Sequence, residues 1–400
     1  MKYPFAKRVR HLQSSAVRDL LKVVNQNNVI SFAGGLPDEK LFPFEAVKES
    51  FSRTMESGNK ALQYAETEGY GPLRELLVER MKTKGMGQWG TDNILITTGS
   101  QQAIDLFSRV FFNPGDIIFT ENPTYLAALQ VFESYEARII AVEADEHGML
   151  PEDLNAKMKQ YRPKCIYVVP TFSNPAGRVW SQERRELLLR LAKKYHAVIF
   201  EDDPYGDIQF HRNETYKPIA SMDDGSHVVY TSTFSKTVVP ALRTGWIAGP
   251  HQVVRIMAQA KQANDLHSNS LSQQMLYHLL RNFDLDTHIQ SVVSVYYERL
   301  KIMMTQLEKS SLPGLNYIEP KGGMFLWLEL EEGINTTEYL EEAVKRGVAY
   351  VPGAPFYAGK VKHNTMRLNF TNSTPENIDK GMYLLSTVFD TRQIDKQLPI

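Results

Sequence analysis

The chain has 400 residues, of which 42% are apolar and 23% charged, and its formal net charge is −1. That balance belongs to a globular protein with a sizeable core and argues against wholesale disorder. Acids and bases are interspersed, so no basic stripe points to nucleic acid, and no apolar run approaches the roughly 18 residues a membrane span needs.

The N-terminus carries basic residues but no apolar stretch of signal-peptide type, so the cytoplasm is the expected compartment. Residues 14–25 read as a short amphipathic helix with a serine cap. A glycine- and proline-rich loop follows over 30–38, then helices over 45–58 and 72–84. Gly85, Gly87 and Gly90 match the dinucleotide fingerprint in spelling only. A basic helix precedes them and a strand follows, the reverse of what that motif needs, so they read as a helix stop and turn.

From residue 94 short apolar runs alternate with longer amphipathic stretches. The runs are 94–97, 117–120, 138–142, 165–169, 197–201, 228–231 and 246–248. Stretches such as 101–112, 125–134 and 181–195 have helical spacing. This predicts an α/β fold with a mostly parallel sheet, whose ligands bind beyond the carboxyl ends of the strands. The one cysteine, Cys165, sits inside such a run and reads as buried. It can form neither an internal disulfide nor a cysteine-rich metal site. The ten histidines show no ligand spacing, so no metal is expected. Glycosylation patterns at Asn213, Asn335 and Asn372 carry no weight without a secretory route. After 250 the pattern turns helical to about 310. A strand over 324–330, a helix over 337–346 and a strand over 366–370 then suggest a smaller α+β unit. The expected division is an arm over 1–45, a large domain over 46–290 and a small domain over 291–400.

The informative segment is 230–246. Lys236 directly follows a strand, with Thr233 and Ser235 beside it and Arg243 shortly after. At such a place desolvation and nearby cations lower a lysine's pKa, as imine chemistry requires. Hydroxyls with one arginine make a phosphate cradle. A lone Ser-Lys pair would read as a surface turn; the whole string does not.

This string resembles the lysine motif of fold-type I pyridoxal-phosphate enzymes, in particular class I/II aminotransferases of the aminoadipate/kynurenine type. The resemblance also covers Ala33-Gly-Gly-Leu-Pro37, Leu62-Gln-Tyr64, Gly99-Ser-Gln-Gln102 and Glu201-Asp-Asp-Pro-Tyr205, and so nearly the whole chain. It implies a large domain with a seven-stranded, mostly parallel sheet flanked by helices. Lys236 would then hold pyridoxal 5′-phosphate as a Schiff base and move the substrate Cα proton.

The resemblance assigns further residues. Ser100 and Gln101, at a helix start suited to anions, would contact the phosphate, although a serine-capped helix explains the same local sequence. Tyr125 would stack on the pyridine ring; alone it would read as a core tyrosine. Asn174 would donate to the ring's phenolic oxygen and lie beside the substrate, and in the bland reading it only starts a turn. Position 176 is alanine where the family commonly has threonine. Asp202, in an acidic strand end costly to bury without a partner, would pair with the protonated ring nitrogen, and Tyr205 would reach the phenolic oxygen. Arg367 would clamp the substrate α-carboxylate; without a ligand it would need an internal acid. Gly34 and Gly35 match a loop near the substrate. Arg18 would meet a distal substrate carboxylate, or else lie on the surface. Tyr64 would reach the neighbouring subunit's cofactor phosphate, which implies a homodimer.

The implied activity is transfer of an amino group from an aromatic, branched or aminoadipate-like amino acid to a 2-oxo acid, 2-oxoglutarate foremost. The competing readings are a same-fold lyase or decarboxylase, since these cofactor residues do not discriminate reaction types, and a non-catalytic ligand-sensing regulator.

Overall fold

The computed structural model describes residues 3–6, 8, 29–211 and 213–389. The helix expected over 14–25, and Arg18 with it, lies outside them. A two-residue strand β1 (Ile30–Ser31) opens the described fold. All seven apolar runs become strands of one sheet: β2 (Ile94–Thr97), β3 (Ile117–Asn122), β4 (Arg138–Asp145), β6 (Cys165–Val168), β7 (Val198–Asp202), β8 (Val228–Thr233) and β9 (Gly245–Ala248). An eighth, two-residue strand, β5 (Gly148–Met149), was not expected and pairs antiparallel on β4 at the edge. The order is β2-β9-β8-β7-β6-β3-β4-β5. The centre, from β8 through β4, is parallel, while β9 runs antiparallel to both its neighbours.

These runs are nearly unbroken in apolar residues because both sheet faces are covered. On one face Leu95, Ile118, Tyr167, Phe200 and Ile247 pack against helices α3 (Gly99–Phe111), α4 (Leu126–Ser134) and α7 (His251–Asp265). On the other, Ile94, Ile166, Ile199, Val228 and Trp246 meet α2 (Gly71–Thr83), α5 (Pro151–Tyr161), α6 (Gln182–Tyr195) and α8 (Ser270–Asn282). Helix α1 (Phe44–Met55) precedes them. Helix α2 stops where the glycines suggest, with Gly85 at φ +84° and the Met86 N–H bonded to the Met81 carbonyl.

A second core forms around a four-stranded antiparallel sheet, β10 (Asn316–Tyr317), β11 (Phe325–Glu329), β14 (Thr365–Asn369) and β13 (Val351–Pro352). Helix α9 (Leu285–Lys309) serves both cores: Leu285 and Ile289 join the first, Val292 to Leu307 the second. Short α10 (Leu340–Lys345) and the longer α11 (Pro375–Val388) complete this unit. Strand β1 pairs with β12 (Val348–Ala349), and the Asn369 N–H reaches the Phe32 carbonyl. The segment after β1 is thereby sewn to the second sheet and brought over the carboxyl edge of the first.

Candidate active site

Five strands of the large sheet end at one place. Helix α3 follows β2, Tyr125 follows β3, Asn174 follows β6, Asp202 ends β7 and Lys236 follows β8. With Gly35 and Arg367 they line a cavity of about 600 Å³. Ser100, Gln101, Thr233, Ser235, Tyr205 and Arg243 share the same lining. Every residue marked out in the sequence is therefore here except Gly34, next to Gly35 in the same loop, Arg18 and Tyr64. Arg18 is outside the described residues. Tyr64 is 79% exposed and away from the cavity, its ring edge-on to His267 at 5.7 Å.

Lys236 Nζ donates to the Gly35 carbonyl at 2.7 Å. Burial, with Arg367 and Arg243 nearby, lowers its ammonium to about 8. No carboxylate pairs with it among the described residues. The amine is thus poised near neutrality at the edge of a buried strand.

Beside it the hydroxyls are already knitted. Thr233 Oγ1 donates to Ser235 Oγ at 2.9 Å, and Arg243 Nη1 reaches the same oxygen at 3.3 Å. Arg243 crosses the start of α3, where its Nη2 donates to the Thr98 carbonyl at 3.4 Å. A Cβ on Gly99 would sit 2.4 Å from that Nη2 and push the guanidinium aside, and the φ of +74° there also favours glycine. Helix α3 begins at Gly99, so Ser100 lies in its first turn rather than at the cap. The cap is Thr98, which makes no side-chain cap bond and whose own N–H donates to Gln102 Oε1 at 2.8 Å, leaving the first-turn N–H groups free. A free helix N-terminus, three hydroxyls and a guanidinium converge as an anion site.

The three acids at the end of β7 have different partners. Glu201 accepts from the Ile219 and Ala220 N–H groups, both at 2.8 Å. Asp203 accepts from the Tyr230 hydroxyl and the Gly206 N–H. Asp202 Oδ2 accepts from the Tyr167 hydroxyl at 2.8 Å, and its Oδ1 is buried with no partner. Burial raises this carboxyl to about 7, with the Tyr167 bond working the other way. An orphan carboxylate oxygen in a cavity fits a cationic N–H donor. Tyr167 went unnoticed in the sequence because it lies inside an apolar run and reads as core.

Arg367 has no internal acid among the described residues. Its Nη1 donates to Asn174 Oδ1 at 2.8 Å and its Nη2 to the Ala33 carbonyl at 2.7 Å, while Nε is buried and unpartnered. The guanidinium carbon lies 4.3 Å from the Phe325 ring centroid and 5.3 Å from that of Phe356. Aromatic faces hold it without neutralising it, and burial lowers it only to about 10. Asn174 also bonds the Tyr205 hydroxyl, whose pKa burial raises.

A larger cavity, about 1030 Å³, lies between residues 143–146 and 332–335. Its charges are mostly satisfied, as in Lys362 with Glu329 and Arg184 with Asp145, and it holds neither Lys236 nor Asp202, so the chemistry is not there. Asp223, Asp224 and His227 form the one potential metal-ligand group among the described residues. Lys193 lies 3.3 and 3.4 Å from the two carboxylates, and the His227 and Val228 N–H groups use Asp223 Oδ2. These contacts explain the acids as a brace on the turn before β8.

The sequence pattern of the family described as aminotransferase class I and II matches residues 27–383. The chain belongs to that family. This aminotransferase is 42% identical over 388 residues to aromatic-amino-acid aminotransferase 1 of Thermococcus litoralis, covering 96% of this chain and 93% of that one. A kynurenine aminotransferase of Pyrococcus horikoshii, solved with PMP, superposes with a TM-score of 0.92 at 41% identity over 97% of each chain. An α-aminoadipate aminotransferase of Thermus thermophilus, complexed with N-(5′-phosphopyridoxyl)-L-leucine, gives 0.90 at 33% identity over 98% of each. The lyase, decarboxylase and regulator readings give way to a transaminase.

Proposed function

We propose that this aminotransferase binds pyridoxal 5′-phosphate in the cavity around Lys236. We further propose that it moves an amino group from an aromatic, branched or aminoadipate-like α-amino acid to 2-oxoglutarate. The observation that carries this reading is the pairing, in one cavity, of a half-buried lysine lacking a carboxylate partner with the orphan Oδ1 of Asp202.

The residues present fit the group. The start of α3 with Ser100 and Gln101, together with Thr233, Ser235 and Arg243, would hold the phosphate. Tyr125 would lie on the ring, Asn174 and Tyr205 would meet its phenolic oxygen, and Asp202 Oδ1 would take the ring N–H. When bound, the cofactor supplies an electron sink for the substrate Cα. Asp202 would keep that ring's nitrogen protonated, since it is the one carboxylate among the residues that line the cavity. Arg367 holds the substrate carboxylate with its planar fork. Lys236 Nζ accepts the Cα proton and returns it, acting as base and then acid. The rings of Phe325 and Phe356 keep water from the arginine.

The apolar groups left exposed support a homodimer. Phe44 is 68% exposed, Leu62 58% and Tyr64 79%. Leu62 and Tyr64 line one shallow surface pocket with His267 and Leu271, a face that would carry Tyr64 towards a second copy's cavity. The changeover between cores within α9, after Ile289, supports a division near 290.

The test is absorbance of the protein loaded with pyridoxal phosphate, recorded while amino acids are added singly. A donor should bleach the visible band, and 2-oxoglutarate should restore it. A band that no aromatic, branched or acidic amino acid bleaches would overturn the reading.

A second expectation concerns Arg367. Arg367→Lys should lower kcat/KM by on the order of 10²-fold, chiefly through KM, because a lysine offers one point charge where the fork made two bonds. Steady-state kinetics with the best donor would show it, and an unchanged KM would remove Arg367 from carboxylate binding.

A further inference from the structure

Tyr167 touches neither substrate nor cofactor in the reading above, yet it is placed with care. It is fully buried on β6, in register with Phe200 on β7. Phe132 packs edge-on to its ring at 5.4 Å and Phe200 lies tilted at 6.0 Å, itself stacked on Phe107 at 4.2 Å. A ring gripped on several sides has one position for its hydroxyl. That position is 2.8 Å from Asp202 Oδ2, across the strand pair and one pleat on.

The division of the carboxylate follows. Oδ2 is satisfied inside the protein, while Oδ1 is buried without a partner and belongs to a residue that lines the cavity. The donor's chemistry also matters. An arginine or lysine at 167 would neutralise Asp202. A phenol supports the negative charge yet leaves it available to one cationic donor on the other side. Burial and Asp202 together raise the phenol's own pKa, so it stays a donor.

We propose that Tyr167 is a positioning residue: it fixes the Asp202 carboxylate so that Oδ1 faces the ring nitrogen of the bound cofactor and supports the charge held there. This rests on the pyridoxal-phosphate reading. The alternative is that Tyr167 only fills the core, and phenylalanine would do that as well.

Tyr167→Phe removes the hydroxyl and keeps the shape. Apoprotein of both forms would be titrated with pyridoxal phosphate and with its analogue carrying CH in place of the ring nitrogen. Phosphate, carbonyl and phenol are identical in the two ligands. The variant should bind the natural cofactor about tenfold more weakly, the size of a lost hydrogen bond to a charged group, and the analogue as the parent does. Its kcat should fall about tenfold with the donor KM within about twofold. In an Asp202→Asn background the same change should have no further effect on kcat, since the two residues act as one. Equal weakening for both ligands, no weakening for either, or full independence from Asp202→Asn would overturn the proposal. A parent protein that binds neither ligand would overturn the pyridoxal-phosphate reading, and this one with it.

Discussion

Lys236→Ala should lower kcat by about four orders of magnitude or more while leaving a folded protein. The cavity offers no substitute. Its other cations are Arg243 and Arg367, and guanidinium does not give up a proton in this range. Among the described residues no histidine lines it. The same lysine carries a stability signature of opposite sign. Burial holds its ammonium at about 8 in the folded apoprotein against an ordinary 10.5. Between these values the unfolded chain binds more protons than the folded one, so apoprotein stability rises with pH across that window. Below about pH 8 the full penalty applies, roughly 3 kcal/mol from the size of the shift. Lys236→Met, which keeps the length and drops the charge, should therefore stabilise the apoprotein at pH 7, and the gain should vanish above about pH 10.5. Urea melts at several pH values would show it. A variant as active as the parent, or a methionine form that is less stable at pH 7, would contradict the placement of this amine.

Most of the fold was legible because the sheet is buried on both faces. Strands such as 94–97 and 165–168 are wholly buried and had to be short apolar runs. Helix α5 escaped notice because only Leu154 and Met158 are buried in it, too narrow a stripe to show a period. Strand β5 is two residues long and exists only through its pairing with β4. Most of the site residues were legible because they stand at or shortly after the carboxyl end of a strand, where polar groups are out of place in a core, whereas Arg367 lies inside β14 and Arg243 ahead of β9. Tyr167 could not be found that way. Its partner Asp202 is 35 residues on, and only the register of β6 with β7 brings them together. Gln102 belonged to a recognised motif, yet its bond to the Thr98 N–H depends on where α3 starts, a boundary the sequence places only to within a residue or two. Tyr64 marks a different limit: in the single chain it is exposed and its ring meets His267, so the part the resemblance implies for it has no counterpart within one copy.

Asp202→Asn should cut kcat by on the order of 10³-fold with little change in the donor KM. Asparagine keeps the size and still meets the Tyr167 hydroxyl, but the charge opposite the ring nitrogen is gone. In the proposed reading Arg367 holds the substrate's carboxylate elsewhere, so ground-state binding should be spared and the loss should fall on kcat. Stability should move the other way in the empty protein. Burial raises the Asp202 carboxyl to about 7 from 3.8. Between those values the folded state holds a proton the unfolded state has released, so the carboxylate's contribution to apoprotein stability declines as pH rises through the window. Above about pH 7 the cost is complete, a few kcal/mol in size. Asp202→Asn should thus melt higher than the parent at pH 8 when empty, with the difference gone below about pH 4. Loading should reverse the order, because a ring N–H partner stabilises only the carboxylate form. A substitution that makes the empty protein firmer and the loaded enzyme slower is the mark of a group kept for chemistry at a cost to the fold. Melting curves of both proteins, empty and loaded, would decide it. A loaded variant that still melts above the loaded parent would mean that Asp202 does not meet the cofactor's charge.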